Sequence, residues 1–215
     1  MVTKESFEAY LVERHSLEVH EKVSKAVVGI AGLGGLGSNI ALDLARIGVG
    51  KLVLVDFDCV ELSNINRQAY FIEHIGMKKV MALEQLIRKV NPFVVLETHN
   101  VRVNRENAKD LFSTVDIVVE AFDNPPSKVA LTETILMEGK KPLVAASGMA
   151  GALSSNSIVS RKVRNGFYLC GDGVTDSSQS NGLMAPRVHV ASSHQANMVL
   201  RLILGETEVD DNTRI

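Results

Sequence analysis

Apolar positions along the chain change their spacing from segment to segment. Residues 3–25 alternate charged and apolar side chains at helical spacing, with Phe7, Leu11, Leu17 and Val23 as the candidate buried stripe. At 26–31 the sequence AVVGIA is an apolar run too short for a helix and bounded by glycine, as a buried strand would be. Glycines dominate 32–37, an apolar-rich helix at 39–47 is closed by Gly48, and a second strand at 51–55 ends at Asp56. A helix at 77–90 stops at Asn91, because the residue before Pro92 disfavours helical backbone. Strands at 94–101, 116–121 and 142–146 then interleave with helices at 105–112 and 127–138. Regular alternation with apolar strands predicts an α/β fold, Rossmann-like and doubly wound, with a mainly parallel sheet covered on both faces.

Past Gly148 the regularity lapses. Glycines and serines at 148–157 suggest a turn before a strand pair at about 158–168. The stretch GDGVTDSSQSNG at 171–182 reads as a mobile loop, 183–204 as a long apolar helix stopped by Gly205, and 206–215 as an acidic, frayed tail. No repeat and no linker interrupts the pattern, which predicts one domain over 1–215 with an N-terminal helical arm at 1–25.

Composition narrows the class. Apolar residues make up 46% of the 215, enough for a sizeable core. The 23 Lys and Arg against 25 Asp and Glu give a net charge of −2, which argues against a non-specific nucleic-acid binder but leaves room for a local basic pocket. No apolar run reaches the roughly 18 to 20 residues a membrane span needs, and the charged N-terminus lacks the apolar centre of a secretory signal. The two cysteines, Cys59 and Cys170, are far apart in sequence and form no CxxC pair. The expectation is a cytoplasmic protein without a disulfide framework.

Candidate chemistry begins at Gly32, Gly34, Gly35 and Gly37, which fit G-x-G-x-x-G between a strand and a helix. Such glycines allow a tight turn and close approach of backbone to phosphate, and the helix N-terminus adds N–H donors. Asp56 ends the next strand, 19 residues after Gly37, where a carboxylate can accept from both ribose hydroxyls. The motif specifies an adenine nucleotide without saying which. A nicotinamide oxidoreductase would need a further substrate region, and little chain remains after the sheet. Asp56 instead opens the polar run DFDCVELSNINRQ at 56–68, and Lys78 and Lys79 stand at the next helix start. A triphosphate needs cations at the leaving β,γ-phosphates and at the attacked α-phosphate, and Arg67 and Lys79 are of the right type. The competing reading makes both solvated surface charges. Asp123, after the fourth strand, suits Mg²⁺ on the phosphates; the competing reading has it cap the next helix.

Together these segments resemble the ThiF/MoeB/HesA family, relatives of the ubiquitin-activating enzymes. The resemblance rests on GLGGLGS (32–38), D-x-D-x-V-x-x-S-N-x-x-R-Q (56–68), I-G-x-x-K-V (75–80), F-D-N (122–124) and G-x-M-A-P (182–186), and it covers about residues 14–205. It implies adenylylation of the C-terminal glycine carboxylate of a small ubiquitin-like carrier protein, with ATP consumed and pyrophosphate released. A carboxylate is already a nucleophile at neutral pH, so the absence of a Ser-His-Asp or Cys-His constellation is what this reaction predicts. Carried over, the glycines with Asp56, Asp58, Asn64, Arg67, Gln68, Lys79, Asp123 and Asn124 hold the nucleotide. Asp56 then binds ribose, Asn64 and Arg67 contact the phosphates, Lys79 stabilises the α-phosphate, and Asp123 serves Mg²⁺. The family also implies a homodimer in which an arginine reaches the partner's site; Arg14 is the candidate.

The sequence also departs from the family. Many relatives hold structural zinc with two CxxC pairs that this chain lacks, so no zinc is expected, and His189 and His194 read as ordinary helix residues. Relatives often carry a cysteine in the loop before the last helix; here 171–182 has none. Cys170, just before it, is either a nucleophile toward the acyl-adenylate or a small residue at a strand end, and Cys59 is expected to be buried. The compact, zinc-free form resembles the shorter ThiF branch of thiamine biosynthesis, implying a ThiS-like partner with a Gly-Gly tail threaded along 171–182. Alternatives are a MoaD-like carrier in molybdopterin biosynthesis or a tRNA-directed relative. No nucleic-acid or membrane partner is expected.

Overall fold

The computed structural model describes residues 2–178 and 181–209. Met1, positions 179 and 180 of the expected loop, and 210–215 of the expected tail lie outside the described residues.

Two short helices open the chain, α1 (Lys4–His15) and α2 (Leu17–Val23), followed by β1 (Val27–Ala31), α3 (Gly37–Arg46) and β2 (Lys51–Val55). Next come α4 (Lys79–Val90), β3 (Val95–His99), α5 (Ala108–Leu111), β4 (Ile117–Glu120), α6 (Pro125–Glu138) and β5 (Leu143–Ala146). The antiparallel pair β6 (Val159–Arg164) and β7 (Phe167–Gly171) and the long α7 (Ala185–Leu204) complete the order. All strands form one sheet, β3-β2-β1-β4-β5-β7-β6, parallel except for β6. β7 pairs in parallel with β5, so the terminal strand pair extends the main sheet.

Side chains alternate across each strand, and both faces are buried. Val28, Ile30, Leu52 and Leu54 point into a core built with α3, α4 and α7. Ala31, Val53, Val55 and Val118 face the opposite core, with Phe112, Leu131 and Ile135 from the α5–α6 side. The order reverses between β1, which leads through α3 to β2 on one side, and β4, which lies on the other. In such sheets ligands collect outside the carboxyl ends of the strands at this reversal. The glycine loop leaves β1 there, Asp56 leaves β2 and Asp123 follows β4.

Several boundaries differ from expectation. The N-terminal arm is two helices rather than one, broken at Ser16, whose φ of 77° is the only positive value at a non-glycine among the described residues. Ser16 Oγ accepts from Val19 N and caps α2. The break turns Leu17 outward, 57% exposed, while Leu11 and Val23 are buried. Phe7 is only partly buried and packs on the Phe93 ring at 5.7 Å. The helix expected at 77–90 starts at Lys79, because Lys78 pairs with Cys59 in an isolated bridge and Val60 N donates to Met77 O. Cys59 is accordingly half-buried, not buried. Reciprocal side-chain bonds of Asn104 and Asn107 hold residues 104–107 as a turn, shortening the helix expected at 105–112.

Candidate functional site

The glycine loop is built by close backbone approach. A Cβ on Gly37 would lie 1.9 Å from Gly32 O, and Gly32 itself has φ +90° with Ala121 O 2.8 Å from where a Cβ would sit. Side chains then fix the loop from outside. Tyr70 Oη donates to Leu33 O at 2.8 Å, and burial holds its phenol well above the ordinary range. Asn39 Nδ2 donates to Gly35 O at 2.6 Å and to Arg67 O at 3.2 Å. Ser38 Oγ donates to Gly34 O and accepts from Ala69 N. The segment carrying Arg67 and Gln68 is thereby stitched to the loop.

Asp56 is buried, with Oδ2 accepting from Leu33 N at 2.7 Å and Oδ1 from Asp58 N at 2.8 Å. A carboxylate has about four lone-pair sites, so two remain for ribose hydroxyls. Burial raises its pKa, partly offset by the Lys79 charge and the two amides. Lys79 is buried, which rules out the solvated-surface alternative, and its ammonium lies 3.0 Å from Asp58 Oδ2. The Arg102 guanidinium covers the Phe57 ring at 4.4 Å, joining the loops after β2 and β3.

Arg67 and Asp123 line one cleft of about 530 Å³, together with Asn66, Ser177, Asn181, Leu183 and Met184. Arg67 Nη1 donates to Ser63 O and Asn66 Oδ1; guanidinium has five N–H donors, so most stay available. Asn66 Nδ2 donates to Leu183 O at 2.9 Å, linking the two walls. Asn124, not Asp123, caps α6, its Oδ1 accepting from Ser127 N. The capping alternative for Asp123 therefore falls, and its exposed carboxylate has no hydrogen-bond or ion-pair partner among the described residues.

Other expected site residues sit differently. Asn64 is buried, its Oδ1 accepting from Glu61 N and its Nδ2 directed to Ser63 Oγ, so its amide serves the local turn. Gln68 is buried beside Gly34 with Oε1 unpartnered. Arg14 is exposed over the Tyr10 ring on α1, whose Leu11 packs at Gly48, before β2 begins. That end of the sheet is opposite the cleft, so Arg14 does not reach the site of its own chain.

Cys170 is the clearest departure. It is fully buried on β7 with Sγ 3.4 Å from Ser160 Oγ, and burial pushes its thiol up to about 11 despite that hydroxyl. At neutral pH about one such thiol in ten thousand is ionised. This is the strand-end placement and not the accessible thiolate an acyl-adenylate would need. Brief iodoacetamide treatment is expected to label Cys59 and spare Cys170 until the protein is unfolded; peptide mass mapping reads the result, and equal labelling in the native state would refute the burial argument. Ser160 Oγ also lies 3.1 Å from His194 Nδ1, while His189 is exposed on α7.

Sequence reasoning missed Asn39, Tyr70, Asn66 and the Arg102–Phe57 contact, which act through tertiary neighbours. It also passed over Arg187 and Asp172. Arg187 did carry a signal, since a cation in the first turn of a helix opposes the dipole unless something holds it.

The ThiF family model matches residues 8–215. The adenylyltransferase and sulfurtransferase MOCS3 of Xenopus laevis is 40% identical over 129 residues, 60% of this chain and 28% of that protein. The sulfur carrier protein adenylyltransferase of Thermus thermophilus is 34% identical over 147 residues, 66% of this chain and 54% of that protein. The matched region thus spans about half or less of these relatives. Among solved structures, the E. coli tRNA N6-threonylcarbamoyladenosine dehydratase TcdA in complex with ATP shares the fold, with a TM-score of 0.84, 20% identity, and coverage of 96% of this chain and 98% of that one. With the family model matching nearly the whole chain, this protein belongs to the ThiF family.

Proposed function

We propose that the chain adenylylates the C-terminal glycine carboxylate of a small ubiquitin-like sulfur carrier at the expense of ATP. The observation that carries this reading is the cleft shared by the Arg67 guanidinium and the unpartnered Asp123 carboxylate, beside a glycine loop whose Asp56 keeps acceptor sites free. The names of the Xenopus and Thermus relatives point to the same chemistry in those proteins.

In this reaction a carrier carboxylate oxygen forms a bond to the α-phosphorus as the bond from that phosphorus to the β-phosphate bridging oxygen breaks. Pyrophosphate leaves with the bonding pair. The nucleophile is ionised at neutral pH, so no side chain need take a proton. Asp56 orients the ribose, the loop and the start of α3 approach the phosphates, and Lys79 and Arg67 oppose the charge that develops around phosphorus. Asp123 suits a Mg²⁺ that takes most of its ligands from phosphate and water; such an ion, when bound, neutralises phosphate charge. No cluster of three or more His, Cys, Asp or Glu suited to a metal occurs among the described residues.

The finer reading is a ThiS-like carrier in thiamine biosynthesis, in line with the lack of CxxC pairs among these 215 residues. We also assign a homodimer with Arg14 acting on the partner's site, and a cytoplasmic setting. Among the described residues no helix is long and apolar enough to cross a membrane. A MoaD-like carrier is the nearest alternative, and a tRNA substrate the next, on the fold shared with TcdA.

Pyrophosphate exchange into ATP tests the proposal. Exchange should require a carrier ending in Gly-Gly, strongest with ThiS-like proteins; exchange with no such carrier, or tight binding of NAD in preference to ATP, would overturn it. A pH series adds a check on Asp56. Its raised pKa means the ionised acceptor is lost as pH falls, earlier than for an ordinary aspartate. Affinity for a non-hydrolysable ATP analogue should therefore weaken as pH falls, starting at a higher pH than an ordinary aspartate would give, and Asp56→Asn should be weak and lack that loss; a flat wild-type profile contradicts this.

A further inference from the structure

The segment facing the cleft from α7's side is anchored by a buried ion pair outside the glycine loop. Arg187 stands in the first turn of α7, where the helix dipole disfavours a cation. It is nevertheless buried, with its Nη2 on Asp172 Oδ2 and its Nη1 donating to Leu153 O and Ser154 O, both at 2.7 Å. The side chains of the pair are 5% and 6% exposed.

Asp172 uses its remaining lone pairs on the residues just after it. Oδ1 accepts from Val174 N at 2.8 Å and Thr175 N at 2.9 Å, and Oδ2 accepts the Thr175 hydroxyl at 2.8 Å. Burial alone would raise this carboxyl, but the amides of Thr175 and Val174, that hydroxyl and Arg187 together hold it below the usual range. Thr175 Oγ1 in turn accepts from Ala150 N, and Gly151 N donates to Gly182 O. Both ends of the segment are thus pinned to the turn after β5. Ser177 lies five residues after Asp172, and Met184 three before Arg187, and both line the cleft. The latch shares no hydrogen bond with the glycine loop, Asp56 or Lys79 among the described residues.

We infer that Asp172 and Arg187 are positioning residues for the carrier's C-terminal tail: they hold the Ser177 and Met184 wall of the cleft, along which an extended, glycine-ended peptide lies, and share no hydrogen bond with the glycine loop, Asp56 or Lys79 that hold the ATP. The inference rests on the adenylyltransferase reading above. A wall displaced by about an ångström misplaces the attacking carboxylate while ATP binds as before.

Asp172→Asn is the primary variant. Its single amide oxygen can keep the Val174 and Thr175 amides, but its NH₂ then faces the guanidinium, donor against donor, so the latch opens while the turn stays. The KM for carrier should rise about tenfold to a hundredfold, with affinity for an ATP analogue, measured without carrier, within about twofold. Asp172→Glu should recover part of the loss. Thr175→Val leaves no buried charge unpaired and should shift the carrier KM in the same direction, which keeps the test alive if Asp172→Asn fails to fold. Equal losses for ATP and carrier, or an unchanged carrier KM in a folded variant, would overturn the inference. The wild-type protein run alongside separates the two levels: exchange absent there rejects the adenylyltransferase reading itself.

Discussion

Replacing Lys79 by alanine is expected to lower carrier-dependent pyrophosphate exchange by about a hundredfold to a thousandfold while ATP still binds. The reason lies in where the charge sits. Its side chain is 9% exposed, so its field is little screened, and its partner Asp58, at 48%, lies nearer solvent. The partner left behind, Asp58, is half exposed and water can solvate it, so no buried charge is stranded and the variant should remain folded. On the proposed reaction catalysis is affected more, because a fixed ammonium would meet negative charge as it accumulates on the α-phosphoryl group, without reorganisation. Removing Lys79 also leaves burial of Asp56 less opposed, moving that carboxyl further up. Steady-state kinetics and ATP-analogue titration check this together. A fall in kcat with near-normal analogue affinity supports the assignment; activity within a few-fold of wild type removes Lys79 from the site.

The second large effect is expected at Gly37. In Gly37→Ala the new Cβ would meet Gly32 O at 1.9 Å, a backbone atom that cannot swing aside as a side chain does. Overpacking of this kind costs about 3 kcal/mol, corresponding to a Tm fall of about 6–12 °C for a chain of this size. The start of α3 must move, and with it the donors that approach phosphate, so analogue affinity should fall about a hundredfold, or some 2.7 kcal/mol. Gly34→Ala is the control for stability. Its nearest neighbour would be Gln68 Nε2 at 3.8 Å, ordinary contact, and its Tm should stay near that of wild type. Equal Tm for Gly37→Ala and wild type contradicts the close-approach account.

Local features were legible in the sequence. The strand–loop–helix around Gly32 and Gly37 and the strand ending at Asp56 lie within one βαβ unit, where spacing alone specifies contact. Ambiguity remained wherever two chemically similar residues compete for one local role. Asp123 and Asn124 both precede Pro125, and either carboxylate or amide can cap; the structure gives the cap to Asn124 and leaves Asp123 facing the cleft. Lys79 looked like any surface lysine until packing buried it against Asp58. Ser16 illustrates the limit of periodicity, since a serine that both accepts a positive φ and caps the next helix leaves the charged–apolar pattern almost unbroken. The Asp172–Arg187 pair and the burial of Cys170 depend on β7 joining β5 in parallel, a long-range pairing that strand propensity does not encode.

The central claim is that this chain joins an adenylyl group to a carrier's terminal carboxylate, and the product itself tests it most directly. Wild-type protein is incubated with ATP, Mg²⁺, inorganic pyrophosphatase and a carrier ending in Gly-Gly, and the intact carrier is weighed by mass spectrometry. The account predicts a carrier heavier by one adenylyl group, formed only when the terminal glycine is present and absent with Lys79→Ala on the same timescale. ATP bound by folded protein with every candidate carrier unchanged in mass would contradict it.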